Sequence, residues 1–166
     1  MEKLNVPLEI ESLFNQLSTL VELRASFVEV KSNKGAPGID GVTIKAFESN
    51  LEEELAQLKA ELDSWSYTPK AVRRVEIPKP NGGVRMLGVT CVRDRVIQTA
   101  IKRVIEPILD PQFSNNSYGF RPGRNQRQAV EAAKRIVEQE KKLIVVEIDL
   151  SKFFDRVNHD SLISRL

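Results

Sequence analysis

Asp149 closes a nearly all-apolar run, LIVVEID. A carboxylate at the end of a buried strand can be held rigidly at the rim of a sheet. There it can offer oxygens to Mg²⁺, which binds through one or two carboxylates plus water and phosphates. Two such ions about 3.5–4 Å apart can activate a hydroxyl and stabilise a departing pyrophosphate. Taken alone, the same acid reads more readily as the cap of the turn that follows. Phe154 lies five residues further on, after a turn able to fold it back. A ring there would press on a nucleotide sugar where a 2′-hydroxyl projects. Phe153, beside it, reads as a core aromatic.

Two other groups of residues could handle phosphate. Lys79 and Arg85 flank Pro80-Asn81-Gly82-Gly83. Across a tight hairpin their side chains can reach one side and clamp a triphosphate, the lysine as a point charge and the arginine as a fork. Lysine on an edge strand also serves simply to deter aggregation. The stretch SYGFRPGRN interleaves Tyr118 and Phe120 with Arg121 and Arg124, and Gly119 allows close backbone approach. Aromatics alternating with bases suit a nucleic-acid strand. Gly-Phe-Arg serves ordinary turns too.

These residues need elements to position them. Leu20 to Lys31 carries a broad apolar helical stripe. SNKGAPGIDG then reads as a loop, and the apolar Ile39 distinguishes it from a flexible spacer. A second helix is expected from Ile44 to Leu62, striped by Phe47, Leu51, Leu55, Leu58 and Leu62. Val75 and Ile77, then Val84, Met86 and Leu87, frame the glycine-rich turn as a β-hairpin. Pro78 and Pro80 place its first strand at an edge. Helices are expected from Arg93 to Leu109, where Pro107 could introduce a kink, and from Gln126 to Glu140. Leu143 to Ile148 reads as a short central strand, and Asn158 as the cap of a last helix. The order is α, α, hairpin, α, loop, α, β, α, which is an α+β class.

Composition narrows the chemistry. At 166 residues, 41% apolar and 29% charged, the chain can build one domain with a real core, or one and a half small ones. No apolar run approaches the roughly 18 residues of a membrane span. The acidic, mixed N-terminus is neither a secretory nor a transit signal. Cys91 and His159 are the sole cysteine and histidine, so metal chemistry must use carboxylate oxygens rather than a zinc site. The net charge of +2 hides a segregation. From Glu48 to Asp63 six acids face one base, a net −5; from Lys70 to Val104 nine bases face two acids, a net +7. Such segregation fits either a polyanionic partner or a solvated charged surface.

With these residues in view, four stretches in order resemble the reverse transcriptases encoded by bacterial group II introns, also called maturases. SNKGAPGIDGVTIKAF is similar to their N-terminal extension block. RRVEIPKPNGGVRMLGVTCVRDRVIQTAI, SYGFRPGRNQRQAV and VVEIDLSKFFDRVNHDSL resemble the first three blocks shared by reverse transcriptases. The resemblance implies a right-hand polymerase. Fingers with an N-terminal extension would occupy residues 1–141 and the start of a palm residues 142–166. Asp149 becomes a Mg²⁺ ligand, helped by the Leu150 backbone carbonyl, and Phe154 becomes the gate against ribose. Lys79 and Arg85 become triphosphate contacts. Gly35, Ala36, Gly38, Ile39, Asp40 and Gly41, with Gly119, Phe120, Arg121 and Pro122, become contacts to nucleic acid. Asp155 and His159 are assigned to orienting the turn. The implied partners are an RNA template, intron RNA, a DNA primer and a deoxynucleoside triphosphate, in a bacterial cytoplasm.

The family's second metal-binding block, a Tyr-Ala-Asp-Asp type hairpin, is absent from these residues, as are a thumb, a maturase helical domain and an endonuclease. The expectation is therefore a truncated chain that does not polymerise DNA alone. Its palm strand would keep an open edge and favour a homodimer or a rearranged C-terminal segment. Two other functions compete: a non-catalytic RNA-binding module, and a reverse transcriptase of a related retroelement, phage-defence or diversity-generating lineage.

Overall fold

The computed structural model describes residues 10–80, 82–139, 141, 144–151 and 153–164. The chain divides into two compact units, Met1–Phe113 and Ser114–Leu166.

The first unit is built from helices that each bury one stripe. α1 (Ile10–Leu17), which the apolar pattern did not single out, packs beside α2 (Leu20–Asn33) and α5 (Val92–Leu109). Thr19 caps α2, its hydroxyl accepting from the Glu22 amide at 3.1 Å. The buried stripe of α2 is narrower than expected. Leu23, Phe27 and Val30 are in the core, whereas Leu20, Val21 and Val28 face outward. The expected single helix from Ile44 to Leu62 is two, α3 (Ile44–Ser49) and α4 (Leu51–Asp63). Asn50 breaks it by leaving helical geometry at φ −119° and ψ 29°. Its carbonyl still accepts from the Glu54 amide, so the second helix starts at once. Phe47, Leu55, Leu58 and Leu62 remain on one buried face and meet Val92, Val96, Ile97 and Ala100 of α5. Pro107 sits in the last turns of α5 without ending it.

Between α4 and α5 stands the hairpin, β1 (Arg73–Pro78) paired antiparallel with β2 (Val84–Val89), in register Ile77 to Arg85. Gly82 and Gly83 both take φ +83°, the left-handed turn geometry that lets the strands reverse.

The second unit has helices but no buried residue among those described. α6 (Gln126–Gln139) forms as expected, although its apolar positions Val130 and Val137 are exposed. α7 (Phe153–Arg156) and α8 (His159–Ile163) follow. Asn158 caps α8, its side chain accepting from the Ser161 amide at 2.9 Å.

The expected buried strand is not formed. Among the described residues, 144–150 pair with no other strand, and Ile144, Val145, Val146 and Ile148 are 76–86% exposed. A strand needs a ladder partner and an apolar face to cover, and the one sheet among the described residues is the hairpin. Leu143 lies outside the described residues. Phe153, expected in the core, is 48% exposed for the same reason.

Candidate nucleic-acid and nucleotide interface

The loop between α2 and α3 is pinned from beneath. Gly38 is buried, and a Cβ there would lie 2.6 Å from the Cα of Cys91, so only glycine permits this approach to the start of α5. The Arg95 guanidinium donates to the Ala36 carbonyl and, through Nε, to Thr90. Asp40 accepts from the Val42 amide at 3.1 Å and pairs with the Lys70 ammonium at 3.0 Å. Burial pushes the Asp40 carboxyl up, but Lys70, the Val42 amide and the Cys91 thiol outweigh it and hold the group below its usual range. Gly38 and Asp40 thus hold the loop together, while Gly35, Ala36, Ile39 and Gly41 are exposed on it.

Lys70 belongs to a second anchor, which the sequence reading passed over. Asp94 on α5 is 2% exposed and accepts from the Tyr67 hydroxyl at 2.7 Å and the Lys70 amide at 3.1 Å. Burial first, then the Asp94 carboxylate, pushes the Tyr67 phenol above its ordinary range. Arg93 lies over the Tyr67 ring and pairs with Glu61. The segment entering β1 is therefore tied to α5 and, through Lys70, to the loop. An acid between two arginines at a helix start, in CVRDRV, was the only available signal.

Lys79 and Arg85 flank the turn of the hairpin. Arg85 stands opposite Ile77, and Lys79, one position beyond β1, follows Ile77 by two, so strand alternation carried past Pro78 would put both on one face. The Lys79 amide donates to Gly83 at 3.0 Å, closing the turn that carries them. Asn81 lies outside the described residues.

Much of the charge segregation is consumed internally. Arg24 pairs with Glu52, Lys31 with Glu48, Arg93 with Glu61, Lys102 with Glu29, and Arg103 with Glu22 and Glu29. The acidic face of α3 and α4 and the basic face of α5 are in part each other's partners, or partners of α2. What stays outward on the basic side is chiefly the hairpin, with Arg74, Lys79 and Arg85 exposed.

In the second unit, residues 114–125 form a loop knotted by its own arginines. Arg121 donates to the Ser114 carbonyl at 2.8 Å and to Ser117 at 3.2 Å; Arg124 donates to the Asn115 carbonyl at 3.0 Å and lies 5.4 Å from the Tyr118 ring centre. Asn125 and Gln128 exchange side-chain and amide hydrogen bonds at the start of α6, a reciprocal cap. At the tip, Gly119 has open space around it, Pro122 is exposed, and Phe120 is fully exposed at φ +54°. A bulky residue in the left-handed region is strained, and this strain displays a ring to solvent.

Asp149, Leu150, Ser151, Phe153, Arg156 and Val157 line a hollow of about 360 Å³. Phe153, rather than Phe154, contributes the aromatic wall. Phe154 is 86% exposed and meets Phe153 edge-on at 5.3 Å. Among the described residues no three acids, histidines or cysteines come together. One carboxylate and carbonyl oxygens are a donor set suited to a single hydrated Mg²⁺, not to a two-ion site. His159 starts α8, and the Asp155 side chain lies outside what is described.

Comparison with known proteins bears on the whole. The family model described as reverse transcriptase (RNA-dependent DNA polymerase) matches residues 77–166. Protein YkfC of Escherichia coli K12 is 42% identical over 133 residues, covering 77% of this chain and 35% of the relative. The group II intron-encoded protein LtrA of Lactococcus lactis is 33% identical over 139 residues, covering 83% of this chain and 23% of the relative. A putative COX1/OXI3 intron 1 protein of Saccharomyces cerevisiae is 29% identical over 160 residues, covering 94% of this chain and 19% of the relative. The chain thus spans between about a fifth and a third of the length of these relatives. Among the described residues no helix is long and apolar enough to cross a membrane.

Proposed function

The chain belongs to the reverse transcriptase family, and we propose that residues 1–141 form the fingers, and 142–166 the opening of the palm, of an RNA-directed DNA polymerase of the group II intron type. The observation that carries this reading is the hairpin: a closed turn flanked by Lys79 and Arg85, inside the region matched by the family. Lys79 and Arg85 hold the triphosphate of an incoming deoxynucleotide. The loop from Gly35 to Gly41, presenting Ile39, and the tip from Gly119 to Pro122, presenting Phe120, hold template RNA beside a DNA primer. Asp149 and the Leu150 carbonyl hold Mg²⁺, which when bound supplies charge stabilisation for phosphoryl transfer. Phe154, free of the hollow and exposed, serves as the ring that excludes ribose.

Among the described residues one carboxylate lines this hollow, and a single carboxylate does not make a two-ion site. This chain alone is therefore expected to bind RNA without extending a primer. The same observation favours a second reading, an RNA-binding module acting on intron RNA. Primer extension on an RNA template, with Mg²⁺ and deoxynucleotides, separates the two. In a longer protein carrying this sequence, Asp149→Asn should abolish extension while leaving RNA affinity nearly unchanged. Arg85→Ala should raise the KM for deoxynucleotides, and Phe154→Ala should admit ribonucleotides. Robust extension by the 166-residue chain overturns its expected inactivity, and wild-type extension after Asp149→Asn overturns the assignment of Asp149.

The exposed run from Ile144 to Ile148 is where a second copy would pair, since unpaired apolar edges recruit other strands. Light scattering at tens of micromolar should then report a dimer, and a monodisperse monomer counts against it.

A further inference from the structure

A hollow of about 230 Å³ opens between α2 and α5, lined by Val30, Asn33, Lys34, Arg95, Gln98, Thr99 and Lys102. No carboxylate lines it among the described residues. Three of its side chains are cationic and three carry neutral donors, the donor set that phosphate oxygens require. Arg95 is already fixed by the Thr90 and Ala36 carbonyls, which engage two of its five N–H donors and hold the fork in place. The Lys102 ammonium is shared with Glu29 at 3.1 Å, so its charge is partly offset.

Lys34 is the unusual member. It ends α2 at φ 58° and ψ −159°, a region essentially reserved for glycine. Gly35 follows at φ +127°. A glycine at position 34 would satisfy the helix end at lower cost, yet a lysine stands there, at the rim of the hollow. Strain retained at a cationic residue beside other cations is the pattern expected of a ligand site.

We propose that this hollow binds a phosphodiester group of an RNA strand, one step outside the loop from Gly35 to Gly41. The link is physical, because Arg95 joins the hollow to that loop through the Ala36 carbonyl. The inference rests on the reading of the chain as an RNA binder and adds a separate phosphate contact, distinct from the triphosphate pair on the hairpin. An RNA backbone is favoured over a free nucleotide because the hollow offers no aromatic face for a base and adjoins the loop proposed to follow the template.

The test uses the full 166-residue chain, a fluorescent single-stranded RNA of about a dozen nucleotides, and a deoxynucleoside triphosphate as competing probe. Lys34→Gly should raise the thermal midpoint while weakening RNA binding about fivefold and flattening the slope of log K against log salt by about one. A purely structural lysine would give the first effect without the others. Gln98→Glu, an isosteric acid at an exposed helix position, should weaken RNA binding by a similar factor without altering the fold. Unchanged RNA affinity in both variants overturns the site and leaves the general RNA-binding reading standing. Failure of the wild-type chain to bind RNA overturns both. A loss of triphosphate binding as large as the loss of RNA binding assigns the hollow to a nucleotide and overturns the strand assignment.

Discussion

Two regions of the molecule use the same kind of amphipathic helix to opposite effect. In the first unit, α2, α4 and α5 each meet a partner, and Leu23, Leu58, Val96 and Ala100 are fully buried. In the second unit, α6 carries as clear an apolar stripe, yet no described residue beyond Val104 is buried. An amphipathic stripe states that a face needs covering. It does not supply the cover. The loop and hairpin of the first unit are consequently anchored through buried groups such as Gly38 and Asp94, whereas Asp149 sits in a surface hollow beside exposed apolar residues.

The largest expected effect tests that contrast directly. Leu58→Ala should cost about 2–5 kcal/mol by urea unfolding, because it opens a cavity in a closed core. Val146→Ala should change stability by less than about 0.5 kcal/mol, as surface substitutions do. Comparable losses at the two positions would show that the second unit has a core after all.

Next in size is Asp94→Ala. It strands the Tyr67 hydroxyl and the Lys70 amide, a loss of about 1–3 kcal/mol. Asp149→Ala in the same chain should leave the thermal midpoint unchanged. A matching drop at Asp149 would reveal structural partners for that acid.

Two titrations sharpen the picture. Tyr67 has its proton held more tightly in the folded state, so its contribution is complete below its unfolded value near 10 and declines as pH rises through and above it. Thermal melts between pH 8 and 11 should show that decline, and Tyr67→Phe should flatten it. Asp40 has the opposite sign. Its folded value is depressed, so its stabilisation is present above the unfolded value near 4 and is lost as pH falls through the folded one. Asp40→Asn should lessen the acid sensitivity of the first unit, read by amide exchange of Val42.

The smallest effect concerns Trp65, which takes φ 55° after α4 and stacks on Phe14 at 4.4 Å. Trp65→Gly relieves left-handed strain of about 1–2 kcal/mol and loses a stacked pair worth about 0.5–1.5 kcal/mol. Melting should show a net change under about 1 kcal/mol. A larger loss would make the stack, rather than the buried stripe, the main tie between α1 and the rest.

Legibility followed the range of the cause. The hairpin could be read from the residues themselves because Gly82 and Gly83 carry a local backbone requirement, and Lys79 and Arg85 then flank the turn. The Asn158 cap was local too. The break at Asn50 was not legible, since a stripe continuous from Phe47 to Leu62 conceals a one-residue change of geometry. Nor was Asp94, whose partners lie 24 and 27 residues away. The strand expected from Leu143 failed for a further reason: its composition describes the neighbours it would need, and composition cannot create them.

By itself, then, the sequence determined the hairpin and the apolar stripes of α2, α4, α5 and α6, which acid ends the apolar run, and the order of blocks shared with intron-encoded reverse transcriptases. These depend on spacing, turn chemistry and residue type, which act over a few positions. Only the tertiary structure decided that acidic and basic faces neutralise one another, that Gly38 and Asp94 hold the loop and hairpin to α5, and that Lys34 keeps a strained backbone beside Arg95 and Lys102. It also decided that Ile144 to Ile148 stays uncovered. Burial and ion pairing are properties of what meets in space, and no local pattern states which partner will arrive.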